Sequence, residues 1–211
     1  GYTALDANTT GERNNAVGYG ALGAVTTSSY NTAMGHSALN VNTAEHNTAF
    51  GNDALTANTT GTGNVAVGSS TLDANTTANY NTAVGYNTMS ATTTGDDNTA
   101  LGYNALTVNT TGEYNVALGS RALDANTTAS YSSAVGFNAL TANTTGAENT
   151  AMGYNALGAN TTASYNTAFG SVALDANTTG ANNTAVGAAA LGANTTGVQN
   201  TAVGSGALDA N

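Results

Sequence analysis

The sequence predicts an all-β protein, a parallel β-solenoid (a single-strand β-roll) in which one 17-residue repeat makes one coil. Three observations predict this fold. A glycine recurs at a nearly constant interval, short apolar pairs alternate with turn-forming residues, and Ala, Asn, Thr and Gly dominate the composition. Self-similarity at a fixed short period indicates a repeat architecture, in which each unit stacks on its neighbours.

The repeat glycine defines position 0 of each coil. Its spacing is 17 residues, except for 16 between Gly35 and Gly51. Ala stands at −2 and an apolar residue at −1 in all twelve repeats, Leu stands at +4 except for Met89, and Thr stands at +8. The residues predicted to form structural ladders are Gly68, Gly85, Gly102, Ala66, Ala83, Ala100, Leu72, Leu106, Asn81 and Asn98. Residues 1–211 are therefore expected to be one continuous array of twelve coils, a fragment of a longer fibre.

Extended chain and tight corners fit this repeat better than a helix does. Each Gly inside a helix costs about 1 kcal/mol relative to Ala, whereas Thr, Val and Tyr favour strands. A coil of this length leaves room for two strands of about five or six residues and two turns. Asn recurs at −4 and at +7, which predicts two amide ladders along the corners. A simple preference of Asn for turns explains the same recurrence equally well.

The strand that precedes the glycine is expected to be buried on both faces. Neighbouring strand residues point to opposite faces, so the residues at −3 and −1 share one face, while Ala at −2 and the glycine share the other. Because the small residues do not vary, we expect another backbone close against them. One face would then lie inside the coil and the other against a partner chain. The alternative is a solitary solenoid with a narrow interior filled by Ala.

Charge and composition exclude several classes of protein. The formal net charge is −10 and Lys and Arg together number only 2, so we expect no nucleic-acid partner. No apolar run is long enough to span a membrane, so we expect no membrane partner. The absence of Cys from the sequence excludes disulfides, thiol catalysis and thiolate metal sites.

The phrase Asn-Thr-Ala-Val-Gly-Tyr-Asn at residues 81–87, with its variants at 98–106 and 149–157, resembles the head repeats of trimeric autotransporter adhesins. It resembles the arrays of phage-type tail-fibre-domain proteins even more closely, and the resemblance covers the whole chain. It implies a left-handed β-roll, a homotrimer or filament, and a location that is extracellular, on a cell surface or on a virion. The coil is longer than the usual adhesin-head repeat, and the trimer follows from the resemblance alone.

Residues that could carry chemistry form no recognisable motif. His36 and His46 are expected to be surface polar residues rather than catalytic or metal-binding ones. Asp recurs at +5, as in Asp73, Asp124 and Asp175, but without the spacing of a calcium-binding loop. This recurrence predicts a solvated acidic face. We therefore expect no catalytic residue, no metal and no cofactor, and a protein that is not an enzyme.

Two polar patterns suggest further surface chemistry. The Asn-Thr-Thr phrase is an N-glycosylation sequon, although a role for its Asn as a corner residue is favoured. The candidate glycosylation sites are Asn58, Asn75, Asn126 and Asn177. The adjacent residues of a Thr pair, such as Thr59 and Thr60, are expected to point in opposite directions, which disfavours an ice-binding surface.

Aromatic residues recur at +1 and near the other turn. The candidates for surface contact at +1 are Tyr86, Tyr103, Phe137 and Tyr154. Exposed aromatic rows suit contact with glycan or protein, and they suit packing between chains equally well. The leading expectation is a structural, non-enzymatic fibre or appendage shaft that spaces or presents a tip. The alternatives are an adhesin that binds host glycan, matrix or cell surface through its lateral surface, and an ice-binding solenoid.

Overall fold

A computed structural model of the chain describes residues 1–209. It contains twelve strands of three residues each and, within that range, no helix. The strands are β1 (Asn15–Val17), β2 (Thr32–Met34), β3 (Thr48–Phe50), β4 (Val65–Val67), β5 (Thr82–Val84), β6 (Thr99–Leu101), β7 (Val116–Leu118), β8 (Ser133–Val135), β9 (Thr150–Met152), β10 (Thr167–Phe169), β11 (Thr184–Val186) and β12 (Thr201–Val203). They form one parallel sheet in sequential order. The predicted all-β parallel solenoid is confirmed.

Equivalent residues of successive coils lie side by side. Ala83 of β5 pairs with Ala100 of β6, and this register recurs between the other neighbouring strands. The shorter repeat keeps the same register, since Ala33 of β2 pairs with Ala49 of β3. Neighbouring strands of a sheet lie about 4.8 Å apart, so each position of the repeat forms a column along the solenoid.

Each coil contains one short strand and several turns, so the expectation of two strands of five or six residues is wrong. The physical reason is left-handed backbone at three positions of the coil. Asn87, Met89 and Tyr80 have φ values of 55°, 53° and 57°, and equivalent residues repeat them in other coils. Such residues reverse the direction of an extended chain. Hydrogen bonds between coils nevertheless continue through the turns, as from the N–H of Leu106 to the carbonyl oxygen of Ala122 at 2.9 Å.

The core is a narrow column of Ala and Leu inside the coils. Ala66, Ala83 and Ala100 at −2 have no exposed surface, and they share one apolar core with Leu72 and Leu106. The backbone close to the Ala face is therefore the far side of the same coil, as in a solenoid with an Ala-filled interior. The expectation that both strand faces are buried does not hold within one chain, because the residues at −3 and −1 point outward.

The repeat glycine lies where successive backbones approach most closely. Gly68, Gly85 and Gly102 have φ values of +134°, +136° and +138°, which L-residues with a side chain rarely adopt. A Cβ atom on Gly102 would also lie 2.5 Å from the carbonyl oxygen of Gly119 in the next coil. Both the conformation and the close approach therefore require glycine.

Two neighbouring rows of buried Asn connect the coils, and side-chain amides of both rows donate to the same carbonyl oxygens, such as that of Gly112. In the row at −4, the N–H of Asn98 donates to Oδ1 of Asn81 at 2.9 Å, and Nδ2 of Asn98 donates to the carbonyl oxygen of Gly112 at 2.9 Å. In the row at +7, Nδ2 of Asn126 donates to Oδ1 of Asn109 at 3.0 Å. Buried polar groups are stable when they are paired in this way. The Asn rows are therefore hydrogen-bonded ladders and not only turn residues.

Candidate functional surfaces

The residues at −3 and −1 of the twelve strands form a surface that we call the outer strand face. Strand alternation directs these residues outward because Ala at −2 lies in the core. The −1 column is apolar in every coil, and its members are Val17, Met34, Phe50, Val67, Val84, Leu101, Leu118, Val135, Met152, Phe169, Val186 and Val203. Eight of these side chains are exposed, from 37% at Met152 to 72% at Val203. Contiguous exposed apolar side chains mark interaction surfaces in soluble proteins.

No charged residue lies on the outer strand face. The −3 column is Thr in most coils, with Asn15, Val65, Val116 and Ser133 in the others. The acidic and basic residues, which give the net charge of −10, all stand at −6, −5, +2 and +5 in the repeat. Charge is therefore confined to the turns. Sequence reasoning missed this segregation because it treated the strand as buried on both faces.

The aromatic residues at +1 are exposed and stack in pairs. The rings of Tyr86 and Tyr103 have centroids 5.9 Å apart and planes inclined by 8°. Phe137 and Tyr154 stack at 5.9 Å in the same way. All four side chains are exposed, so each pair places two parallel rings at the surface, about one coil-spacing apart.

A second aromatic row lies at −5. Tyr114 and Tyr131 stack there with ring centroids 5.0 Å apart. At the start of the same row, the guanidinium of Arg13 lies 5.2 Å from the ring centroid of Tyr30 and donates a hydrogen bond to its hydroxyl. Left-handed backbone at −5 directs these side chains out of the turn.

The two histidines lie in these aromatic rows. His36 stacks on Tyr19 at 5.3 Å, and its Nδ1 lies 3.7 Å from a carboxylate oxygen of Asp53. His46 stacks on Tyr30 at 4.9 Å. Within residues 1–209, no three His, Asp or Glu side chains converge as metal ligands would, and no pocket is present. The structure therefore offers surfaces rather than a cavity for binding.

Three of the Asp residues at +5, Asp73, Asp124 and Asp175, are only partly solvated. Burial raises the pKa of the Asp73 carboxyl above its ordinary value, and the negative charge of Asp53 adds to the rise, against backbone hydrogen bonds that lower it. Oδ1 of Asp73 is buried and has no hydrogen-bond partner among the described residues. Burial also raises the pKa of the Asp175 carboxyl, with a smaller contribution from Asp209. At these two positions the expected solvated face is instead half-buried.

The sequon asparagines are inside the protein, which argues against glycosylation of the folded chain. Asn58, Asn75, Asn126 and Asn177 have no exposed surface. The Nδ2 atom, to which a sugar would be attached, is a hydrogen-bond donor in the +7 ladder, as from Asn75 to Oδ1 of Asn58 at 2.7 Å. A sugar on this atom would remove the ladder bonds and would not fit inside the coil.

The Thr pairs lie in a bend, so the strand alternation that was expected to point them in opposite directions does not apply. Thr59 and Thr60 are both exposed, because the pair lies in a bend and not in a strand. The hydroxyl of Thr59 donates to the carbonyl oxygen of Thr76 in the next coil at 2.9 Å, and the hydroxyl of Thr127 donates to Thr144 in the same way. Side-chain direction therefore gives no reason to reject an ice-binding surface.

Comparisons with family models, with curated proteins and with solved structures found no match to this chain. None of the described residues belongs to a helix long and apolar enough to cross a membrane. The surfaces themselves are therefore the basis for a functional proposal.

Proposed function

We propose that this chain is a structural, non-enzymatic segment of an extracellular fibre or appendage, of the tail-fibre or adhesin type, which spaces or presents a tip. The observation that supports the proposal is the unbroken pairing of β1 through β12 in one constant register. At about 4.8 Å per coil, twelve coils extend over roughly 58 Å. A stack without an internal boundary holds its two ends at a fixed separation, which is what a spacer must do.

The side-chain ladders reinforce this support. Each coil is joined to the next by backbone pairs and by buried amide bonds such as that from Asn98 to Asn81. Repeat proteins of this kind gain stability mainly from contacts between nearest neighbours. The shaft can therefore be lengthened by adding coils without changing the contacts of those already present.

Immunogold labelling of the source cells or virions tests the proposed function. Antibodies raised against the folded chain should label the length of a surface appendage. Label restricted to the interior of the cell, or to the tip of an appendage, would count against a shaft. A sample treated with antibody that has been absorbed with the purified chain is the control.

The stacked aromatic pairs support a second candidate, an adhesin that binds glycan or matrix through its lateral surface. Exposed aromatic rings such as those of Tyr86 and Tyr103 supply apolar contact area and hydroxyl groups that can bind a glycan. A glycan and matrix panel should then detect binding by the wild-type chain and loss of binding by the Tyr86→Ala, Tyr103→Ala double variant. Thr77→Ala, at an exposed position outside the aromatic rows, is the matched control. Binding that survives Ala substitution of this pair and of the equivalent pair Phe137 and Tyr154 together would remove this candidate.

A further inference from the structure

We propose that copies of this chain associate through the outer strand face, with the same face of a parallel copy lying against it in register. The parallel direction rests on the fibre function proposed above, whereas the choice of face rests on the residues of that face. The partner is thus a second copy of the chain.

The apolar column of the outer strand face is only partly covered within one chain. Phe50, Leu101 and Phe169 are 38%, 52% and 55% exposed, although the core beneath them is complete. These side chains therefore keep apolar surface that a single chain does not bury. Burial of their apolar surface against a partner would be a favourable driving force for association.

The regular spacing of the column identifies the partner. The outer strand face presents one apolar residue per coil, about every 4.8 Å, through all twelve strands. A partner that covers the whole face must repeat at the same interval. A second copy meets this condition along its full length, with equivalent coils at equal heights, whereas the surface of a globular partner has no such period.

The size of the face and its lack of charge fit the same partner. Two outward residues in each of the twelve strands give a face of 24 residues, within the range of about 20–30 residues per side that stable protein interfaces contain. Each copy carries a net charge of −10, so contact through the acidic turns would be repulsive. The outer strand face combines neutrality with apolar character, which is the composition of an interface core.

Light scattering of the purified chain tests the association. The wild-type mass should be twice 20.6 kDa or a higher whole-number multiple of it. The double variant Val67→Glu, Leu101→Glu should have the mass of one chain and an unchanged circular dichroism spectrum, because both side chains are already exposed in one chain. The matched control Thr60→Glu, Thr94→Glu adds the same charge at exposed positions outside the face and should keep the wild-type mass.

Two results of this measurement would overturn the proposal. One is a wild-type mass of a single chain at the highest soluble concentration. The other is a Val67→Glu, Leu101→Glu variant that is folded and keeps the wild-type mass. Neither result alters what the labelling experiment finds, so this inference and the proposed fibre function can fail separately.

Disulfide trapping tests the direction and the register. The chain has no Cys, so a single introduced thiol reports one position. Val67→Cys chains should form disulfide-linked pairs on mild oxidation, because a parallel in-register copy places the two thiols side by side, whereas Thr77→Cys chains should not. In a mixture of Val67→Cys chains with mass-tagged Met152→Cys chains, links should join like variants. Preferential linking of unlike variants would indicate antiparallel copies and would overturn the proposed arrangement.

Discussion

The side-chain amide of Asn160 donates a 2.9 Å hydrogen bond to Oδ1 of Asn143, one coil earlier. The amide of Asn143 in turn donates to Oδ1 of Asn126 and to the carbonyl oxygen of Gly146. From Asn126 to Asn177, each Asn of this row is a donor to the preceding Asn and an acceptor from the next, without exposure to solvent. A substitution in the row therefore affects two coils at once.

The first prediction concerns Asn143→Asp, which should destabilise the chain at pH 7 by about 3–5 kcal/mol, the usual cost of an unpaired buried charge. The new carboxylate would have no hydrogen to donate and would face the two acceptor oxygens of Asn126 and Gly146. Asn143→Val is the control, since Val25 occupies the equivalent buried position of another coil, and it should cost about 1–3 kcal/mol. Urea unfolding followed by circular dichroism measures both. An Asp variant as stable as the Val variant would contradict the hydrogen-bonded role of this row.

The second prediction concerns the glycine column. Gly102→Ala should cost about 3 kcal/mol or more, because it combines backbone strain at a φ of +138° with a Cβ atom 2.5 Å from a carbonyl oxygen. Gly206→Ala is the control, since Gly206 has a φ of +63° with no atom within 4 Å of the added Cβ. Its cost should be about 1–2 kcal/mol, from conformation alone. The free energies of unfolding in urea separate the two, and equal losses would show that close approach of the coils is not limiting.

The third prediction concerns the half-buried carboxyl of Asp73. At position +5 of another coil, Asn40 donates its side-chain amide to the carbonyl oxygen of Gly20 at 2.8 Å. Asp73→Asn should gain the equivalent hydrogen bond to the carbonyl oxygen of Asp53, and it also removes a partly desolvated charge. We expect the variant to be more stable than wild type at pH 7 by about 0.5–1 kcal/mol, a modest gain because the site is partly screened by solvent.

The pH dependence of this effect follows from linkage. Because the folded-state pKa of Asp73 is raised above its ordinary value of 3.8, the folded state binds more protons than the unfolded state between these two pKa values. The destabilising contribution of Asp73 is therefore full above the folded-state pKa and disappears as the pH falls toward 3.8. The advantage of Asp73→Asn should shrink on acidification in thermal unfolding scans. Asp97→Asn, the same charge change at an exposed position, is the control, and an advantage that does not depend on pH would contradict this account.

The sequence predicted the columns of this fold because each one requires a particular residue. Glycine at position 0 and Asn at −4 are recognisable in the sequence, since a left-handed φ and a buried amide ladder tolerate few alternatives. Strand alternation also predicted which residues share a face. It could not predict which face lies inside, because an Ala column fits a narrow interior and a chain-to-chain contact equally well.

The turns could not be predicted from residue preferences. Leu72 and Leu106 have φ values of 52° and 53°, a conformation that Leu seldom adopts. It is stable here because each Leu is fully buried in the core and donates its N–H to the next coil. Packing thus overrides local propensity at these positions. Residue preferences do not indicate these left-handed positions, and for this reason the strand was expected to be longer than three residues.

The natural 16-residue coil provides the last prediction, which concerns single-residue deletions. In that coil the carbonyl oxygen of Ala44 accepts from Nδ2 of Asn42 at 2.8 Å, the role that Ala78 has for Asn75 in a full coil. The residue missing from the short coil is therefore the exposed second Thr of the pair, equivalent to Thr77. Deletion of Thr77 should keep the register and cost about 1 kcal/mol or less, as is typical of surface changes.

Deletion of Thr82 should be far more damaging, although it removes one residue of the same type. Thr82 lies between Asn81, which belongs to the −4 ladder, and Ala83, which belongs to the core. With Thr82 absent, either Asn81 leaves its ladder or Ala83 rotates to the outer face, because a one-residue slip inverts the faces of a strand. The loss should exceed that of the Thr77 deletion by several kcal/mol, as broken buried hydrogen bonds each cost about 1–3 kcal/mol. Urea unfolding of the two deletion variants measures this difference, and equal stabilities would mean that strand register does not hold the coils together.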